Sequence, residues 1–154
     1  YSMAAGYYSQ SYKYTGDIED IARCSHNCIA AGNDGNIIVF CRKYVEDKQF
    51  EAYVKGIPGE KQFIYGSLSC ATYRQGEHSQ AFELAKKAME GVTGFPRANA
   101  YTALSLEVIK AGDGQTARDI LEQLEKITPA DTPAEPDQTR SYNALKSELR
   151  KISV

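Results

Sequence analysis

The sequence predicts an all-α chain: a stack of antiparallel helical hairpins closed by a C-terminal capping helix. Three observations lead there. The pairs Gly16-Asp17, Gly76-Glu77 and Gly112-Asp113 stand in matching surroundings, with a serine seven residues before each glycine (Ser9, Ser69, Ser105) and a large apolar residue one place earlier (Tyr8, Leu68, Leu104). Apolar or small residues then follow five places after (Ile21, Ala81, Ala117) and twelve places after (Cys28, Ala88, Leu124). Finally, a proline-rich stretch near the C-terminus precedes one more amphipathic segment. A unit that recurs is a stacking unit, and stacked units usually work through their surface.

The first unit covers about 2–35. Its first helix is expected to end at Gly16, because a left-handed cap suits glycine better than any residue with a Cβ. Asp17 then begins a second helix, complementing the positive end of the helix dipole. The next segment, 36–61, is irregular: Gly16 and Gly76 are 60 residues apart, whereas Gly76 and Gly112 are 36 apart. Asn36 to Glu46 reads as a helix with Ile37, Phe40, Cys41 and Tyr44 inward, and Phe50 to Gly56 as a stunted second helix; one helix from about 36 to 54 is the alternative. The unit at about 62–95 has Phe63, Ile64, Leu68 and Thr72 at helical spacing, then Ala81, Ala85 and Ala88 on one face, where small residues let two backbones approach. The unit at about 98–131 repeats the scheme with Ala100, Leu104 and Val108 before its glycine and Ala117, Leu121 and Leu124 after it. Residues 129–138 read as a loop, and Thr139 to Ile152 as a capping helix with Tyr142, Leu145, Leu149 and Ile152 on its apolar face.

The pattern Ser69-x-x-Thr72-x-x-x-Gly76-x-x-x-x-Ala81-x-x-x-Ala85-x-x-Ala88 resembles the tetratricopeptide repeat, whose period is about 34 residues. Ser105-x-x-Val108-x-x-x-Gly112-x-x-x-x-Ala117-x-x-x-Leu121-x-x-Leu124, closed by Pro129, is similar to it as well. Ser9-x-x-Tyr12-x-x-x-Gly16 fits its first half, while Ile21, Ser25 and Cys28 are less typical of the second. The resemblance implies one tetratricopeptide-like domain over 1–154, a right-handed superhelical α-solenoid with three clear repeats and one degenerate unit. First helices in that family line a concave face that binds an extended or helical peptide. Carried over by position, this implies a groove formed by Tyr7, Gln10, Lys13 and Tyr14, by Phe63, Ser67, Cys70, Tyr73 and Arg74, and by Asn99, Leu106, Ile109 and Lys110, with Arg42 and Glu46 added from the degenerate unit. Its cations suit a protein or peptide partner with acidic and apolar side chains. A heat-shock chaperone tail is an unsuitable ligand, since Gly6, Gln10, Asn99 and Ala103 stand where most of the family's carboxylate clamp would be.

Composition bounds the function. With 42% hydrophobic and 25% charged residues the chain is ordinary for a globular protein, and a net charge of −2 gives no reason to expect nucleic acid. No apolar run approaches the roughly 18 residues that a membrane span needs. The sequence does not begin with Met and has no basic, apolar leader, so a targeting peptide is expected to be gone or never to have belonged to it. Cys24 and Cys28, four apart on one helix with His26 on another face, make a poor zinc motif, and neither metal nor cofactor is expected. The cysteines read either as small core residues of cytoplasmic type or as including a Cys28–Cys41 bridge, which would imply a periplasmic or secreted chain.

Catalysis finds little support. His26 and His78 are the only histidines, and Gly-x-Ser-x-Gly, Gly-x-x-x-x-Gly-Lys and His-Glu-x-x-His are all missing. Two function classes therefore stand: a peptide-binding adaptor, assembly scaffold or secretion-type chaperone, and a self-assembling module that forms a homo-oligomer through its N-terminal repeat. The tyrosines at 1, 7, 8, 12 and 14 separate them, according to whether they line a groove or pack under a second copy.

Overall fold

The computed structural model describes residues 1–92, 101–126 and 136–154, and among these the regular structure is entirely helical. The helices are α1 (Ser2–Thr15), α2 (Ile18–Ala31), α3 (Asp34–Glu46), α4 (Phe50–Lys55), α5 (Glu60–Arg74), α6 (His78–Lys87), α7 (Thr102–Ala111), α8 (Gly114–Glu125) and α9 (Pro136–Ser153). Neighbours in sequence pack together: α1 on α2, α2 on α3, α5 on α6, α7 on α8 and α8 on α9. Contacts of α3 and α7 with α5 join these pairs, so α5 lies at the centre.

The glycine-acid pairs end one helix and start the next. Gly16 (φ 66°) and Gly112 (φ 68°) take the left-handed conformation that would cost a residue with a Cβ about 1–2 kcal/mol. Asp17 and Asp113 sit one place before the second helix, where their carboxylates accept the backbone N–H of Glu19 and Thr116 at 2.9 and 3.1 Å. They act as caps in addition to any dipole effect. Glu77, one methylene longer, makes no such bond.

The irregular segment resolves into two helices, so the single long helix is not formed. The break lies at Asp47, whose carboxylate accepts the Gln49 N–H at 2.8 Å and the Tyr12 hydroxyl at 2.6 Å. Such a side chain offers the backbone an alternative to continuing the helix. Ile37, Cys41 and Tyr44 are buried as expected, while Phe40 is half-buried under Lys43.

Two apolar clusters meet at α5. Ile21, Cys24, Cys28, Cys41, Tyr44, Phe50, Ile64 and Leu68 belong to the first, and Ala81, Ala85, Leu104, Val108, Ala117, Ile120, Leu124 and Leu149 to the second. Ser69, buried between α5 and α6, donates its hydroxyl to the Ala81 carbonyl at 2.7 Å. At the C-terminal end, a Cβ on Gly114 would stand 2.6 Å from the Ile152 carbonyl oxygen, so α9 packs against bare backbone. Residues 136–138, expected in the loop, form the first turn of α9, a position that tolerates proline. The rest of that loop, with Pro129, and the residues Ala98 to Ala100 lie outside the described residues.

All four cysteines are buried free thiols, and Cys28 and Cys41 are not bridged. Burial pushes the thiols of Cys24 and Cys41 up to about 12 and that of Cys70 to about 11, which keeps them protonated and unreactive near neutral pH.

Candidate functional site

Helix α5 sets Phe63, Ser67, Cys70 and Arg74 in one row, four, three and four residues apart, which is the spacing of a single helical face. Facing them are Ile29 from α2, Ile37 from α3, and Ala103 and Leu106 from α7. Together they line an open groove of about 570 Å³. Phe63 is 45% exposed and Leu106 59%, so two large apolar side chains of this groove keep much of their surface open among the described residues.

Gly66 forms part of the floor. It is buried in the middle of α5, yet a Cβ placed on it would meet nothing within 4 Å. No neighbouring side chain or backbone therefore requires glycine there, although glycine inside a helix costs about 0.5–1 kcal/mol relative to alanine.

Each end of the groove is tied by polar side chains around carboxylates. At one end the His26 ring stacks on Phe63 with centroids 5.1 Å apart, and its Nε2 lies 2.8 and 2.9 Å from the two oxygens of Glu60. The Tyr44 hydroxyl donates to the same carboxylate at 2.8 Å. Burial alone would raise the Glu60 pKa; the bonds from His26 and Tyr44 outweigh it and hold the carboxyl below its ordinary value. At the other end Arg74 donates twice to Asp34 on α3, at 2.9 Å each, and once to Glu107 on α7 at 2.8 Å. The bonds to Asp34, followed by its charge and Glu107, push the guanidinium above its ordinary range despite burial.

Of the residues expected to face a partner, Phe63, Ser67, Arg74 and Leu106 come together in this groove, with Cys70 between them. Tyr73 does not belong with them. It is 4% exposed, stacks on His78 at 4.1 Å and donates its hydroxyl to Asp113 at 2.9 Å. One residue along a helix is a rotation of about 100°, so Tyr73 lies outside the row formed by Phe63, Ser67, Cys70 and Arg74. Ile109 is likewise turned away and packs half-buried against the second core. Lys110 lines a second hollow, with Tyr73, Arg74, His78 and Glu107. Tyr7, Gln10, Lys13 and Tyr14 are exposed on α1, and Arg42 is half-buried on α3; none of them lines the groove. Asn99 lies outside the described residues.

Sequence reasoning missed Ile29, Ile37, Gly66 and the carboxylates Asp34 and Glu107. The row 63, 67, 70, 74 could have pointed to Gly66 as its neighbour, whereas the carboxylates reach Arg74 only because three helices converge. Among the described residues no group of three or more His, Cys, Asp or Glu is arranged to hold a metal ion, and no helix is long and apolar enough to cross a membrane. No protein-family model, no curated protein and no solved structure matches the chain.

Proposed function

We propose that this chain is a non-catalytic interaction module of tetratricopeptide-like, superhelical architecture, which binds a segment of a partner polypeptide in the groove along α5. Adaptor, assembly scaffold and secretion-type chaperone are all roles of this kind. The observation that carries the reading is the apolar groove, with Phe63 and Leu106 exposed, among the described residues, over a floor of Gly66, Ser67 and Cys70. Concave apolar surfaces with a few fixed polar groups are where proteins take ligands, and large uncovered side chains supply contact area. The order of packed helix pairs and the three glycine-acid turns support the architecture.

Panning a displayed random dodecapeptide library on the chain tests the proposal. Peptides should be enriched on the wild type and lost on Gly66→Leu, which fills the floor, with helical circular dichroism unchanged. Enrichment that is indifferent to Gly66→Leu would place peptide binding elsewhere and defeat the groove reading.

A second reading has its own observation. Met3, Tyr7 and Tyr14 are 91%, 70% and 88% exposed, and with Gln10 they form one stripe at positions 3, 7, 10 and 14 of α1. An apolar stripe with this spacing on an outer helix suits packing against a second copy. In that case light scattering would give a dimer that Tyr7→Ser with Tyr14→Ser converts to monomer; a monomeric wild type at high micromolar concentration removes self-assembly.

A further inference from the structure

We propose that Arg74 is an ionic clasp that holds the two walls of the groove together, so that this end of the groove is kept narrow by charge and widens when the clasp is released. The clasp acts whether or not a segment occupies the groove. It therefore goes beyond the peptide-binding reading and stands without it.

The three charges of the clasp sit where the chain favours them. Asp34 opens α3 and Arg74 closes α5, the ends at which a helix dipole suits an acid and a base respectively. Glu107 stands on α7 next to Leu106. Arg74 reaches both neighbours of α5 at once: its Nε and Nη2 donate to the two oxygens of Asp34 at 2.9 Å each, and its Nη1 donates to Glu107 at 2.8 Å. A planar guanidinium offers donors in fixed and different directions, whereas an ammonium is a single point of charge.

The points of attachment lie beside the walls. Ile37, one turn along α3 from Asp34, lines the groove on one side, and Leu106, next to Glu107 on α7, lines it on the other. Each wall is anchored in a different apolar cluster, with Ile37 and Cys41 of α3 in the first and Leu104 and Val108 of α7 in the second. Helix α5 packs against both, and Arg74 joins them across it. At this end the spacing of α3 and α7 thus depends on bonds that water can reach, since the side chains of Arg74, Asp34 and Glu107 are 39%, 22% and 21% exposed. Partly exposed ion pairs contribute less than buried packing and yield to screening, which suits a strap that opens more than a fixed joint.

Cys70 reports on the strap. It lines the groove one turn before Arg74 and is 8% exposed. Burial pushes its thiol up to about 11, with Arg74 drawing it down and Glu107 and Asp34 pushing it up. The test is alkylation of the native full chain by N-ethylmaleimide at about pH 8, with the labelled cysteines identified by peptide mass spectrometry, which measures how often Cys70 is uncovered. Arg74→Met releases the strap, and so does Asp34→Asn combined with Glu107→Gln. Charge acting directly on the thiol would slow the first variant and speed the second, because one loses the cation and the other the carboxylates. The second also leaves the Arg74 side chain in place, so lost cover cannot account for its acceleration. Parting of the walls speeds both, and the expected result is an increase of roughly 3- to 10-fold in each. Opposite signs, or an unchanged rate in either variant, would overturn the clasp. Cys24, Cys28 and Cys41, no more than 2% exposed in the first cluster, report on unfolding. Acceleration confined to Cys70 supports a local strap, whereas equal labelling of all four would show loss of the whole fold and overturn the clasp as well.

Discussion

The cluster on the N-terminal side of α5 and the cluster on its C-terminal side fill their space differently. In the first, Tyr44, Phe50 and Tyr65 meet edge to face, with centroids 4.9 Å apart for Tyr44–Phe50 and 5.9 Å for Phe50–Tyr65, around the buried carboxylate of Glu60. In the second, Ala81, Ala85 and Ala117 are fully buried among Leu104, Val108, Ile120 and Leu124. The contrast follows helix length. Helices α6 and α8 have 10 and 12 residues, enough to lay a small-residue face along a partner, whereas α4 has only 6. Beside the short α4 the volume is filled by rings packed edge to face; the second cluster also buries Tyr73, Tyr101 and Tyr142, but together with faces of alanine. Aromatic rings provide that volume, and a buried tyrosine hydroxyl then needs an acceptor, which Glu60 supplies.

The largest expected effect comes from the ring at the start of the short helix α4. Phe50→Ala should cost about 3–5 kcal/mol in urea unfolding, because no nearby backbone can collapse into the space of a side chain only 1% exposed. Leu104→Ala, at a site equally buried in the second cluster, should cost about 2–5 kcal/mol and sit below it. A smaller penalty at Phe50 than at Leu104 would mean that the aromatic cluster is loosely packed, and the proposed reason for it would fail.

The next effect concerns the two tyrosine-carboxylate-histidine arrangements, one in each cluster. Tyr44→Phe leaves the buried Glu60 short of a donor and should cost about 1.5–3 kcal/mol at neutral pH. Tyr73→Phe should cost less, since Asp113 keeps two bonds from Thr116 and is more exposed. The pH dependence has a definite sign. Glu60 and Asp113 are held below their ordinary values of 4.5 and 3.8, so their contributions are present above those values and are lost as pH falls through the lower folded ones. The penalty of Tyr44→Phe, measured by urea unfolding from neutral pH into acid, should therefore shrink below 4.5. A constant penalty across that range would show that the hydroxyl does not act through the carboxylate.

The same contrast governs what could be read from sequence. Glycine-acid turns are local, and the helices around Gly16, Gly76 and Gly112 fall where the pattern places them. The α3–α4 break is open between two alternatives in the sequence, because the local bond from the Gln49 N–H to Asp47 is joined by one from the Tyr12 hydroxyl, 35 positions away. In the groove, Phe63, Ser67 and Arg74 come together because they share one helical face. Tyr73, one position before Arg74, turns off that face into the core and donates to Asp113. Charge pairing was illegible for a different reason: Asp34 and Glu107 are 40 and 33 positions from Arg74, and nothing near Arg74 in sequence announces them.

The smallest expected effect distinguishes folding from binding at Gly66. Alanine there meets no atom within 4 Å and gains helix propensity, so Gly66→Ala should stabilise the chain by about 0.5–1 kcal/mol. In a core position that would be an unexplained deficiency, because glycine in a helix interior is usually retained for a close contact within the chain. On the proposed reading the close contact would come from outside, from a segment lying along α5, and the more stable Gly66→Ala chain should then bind the peptides enriched on the wild type several-fold more weakly. Parallel urea unfolding and anisotropy on the one variant decide it. Weaker binding with higher stability assigns the glycine to the groove, and undiminished binding would mean that no backbone approaches α5 at this point.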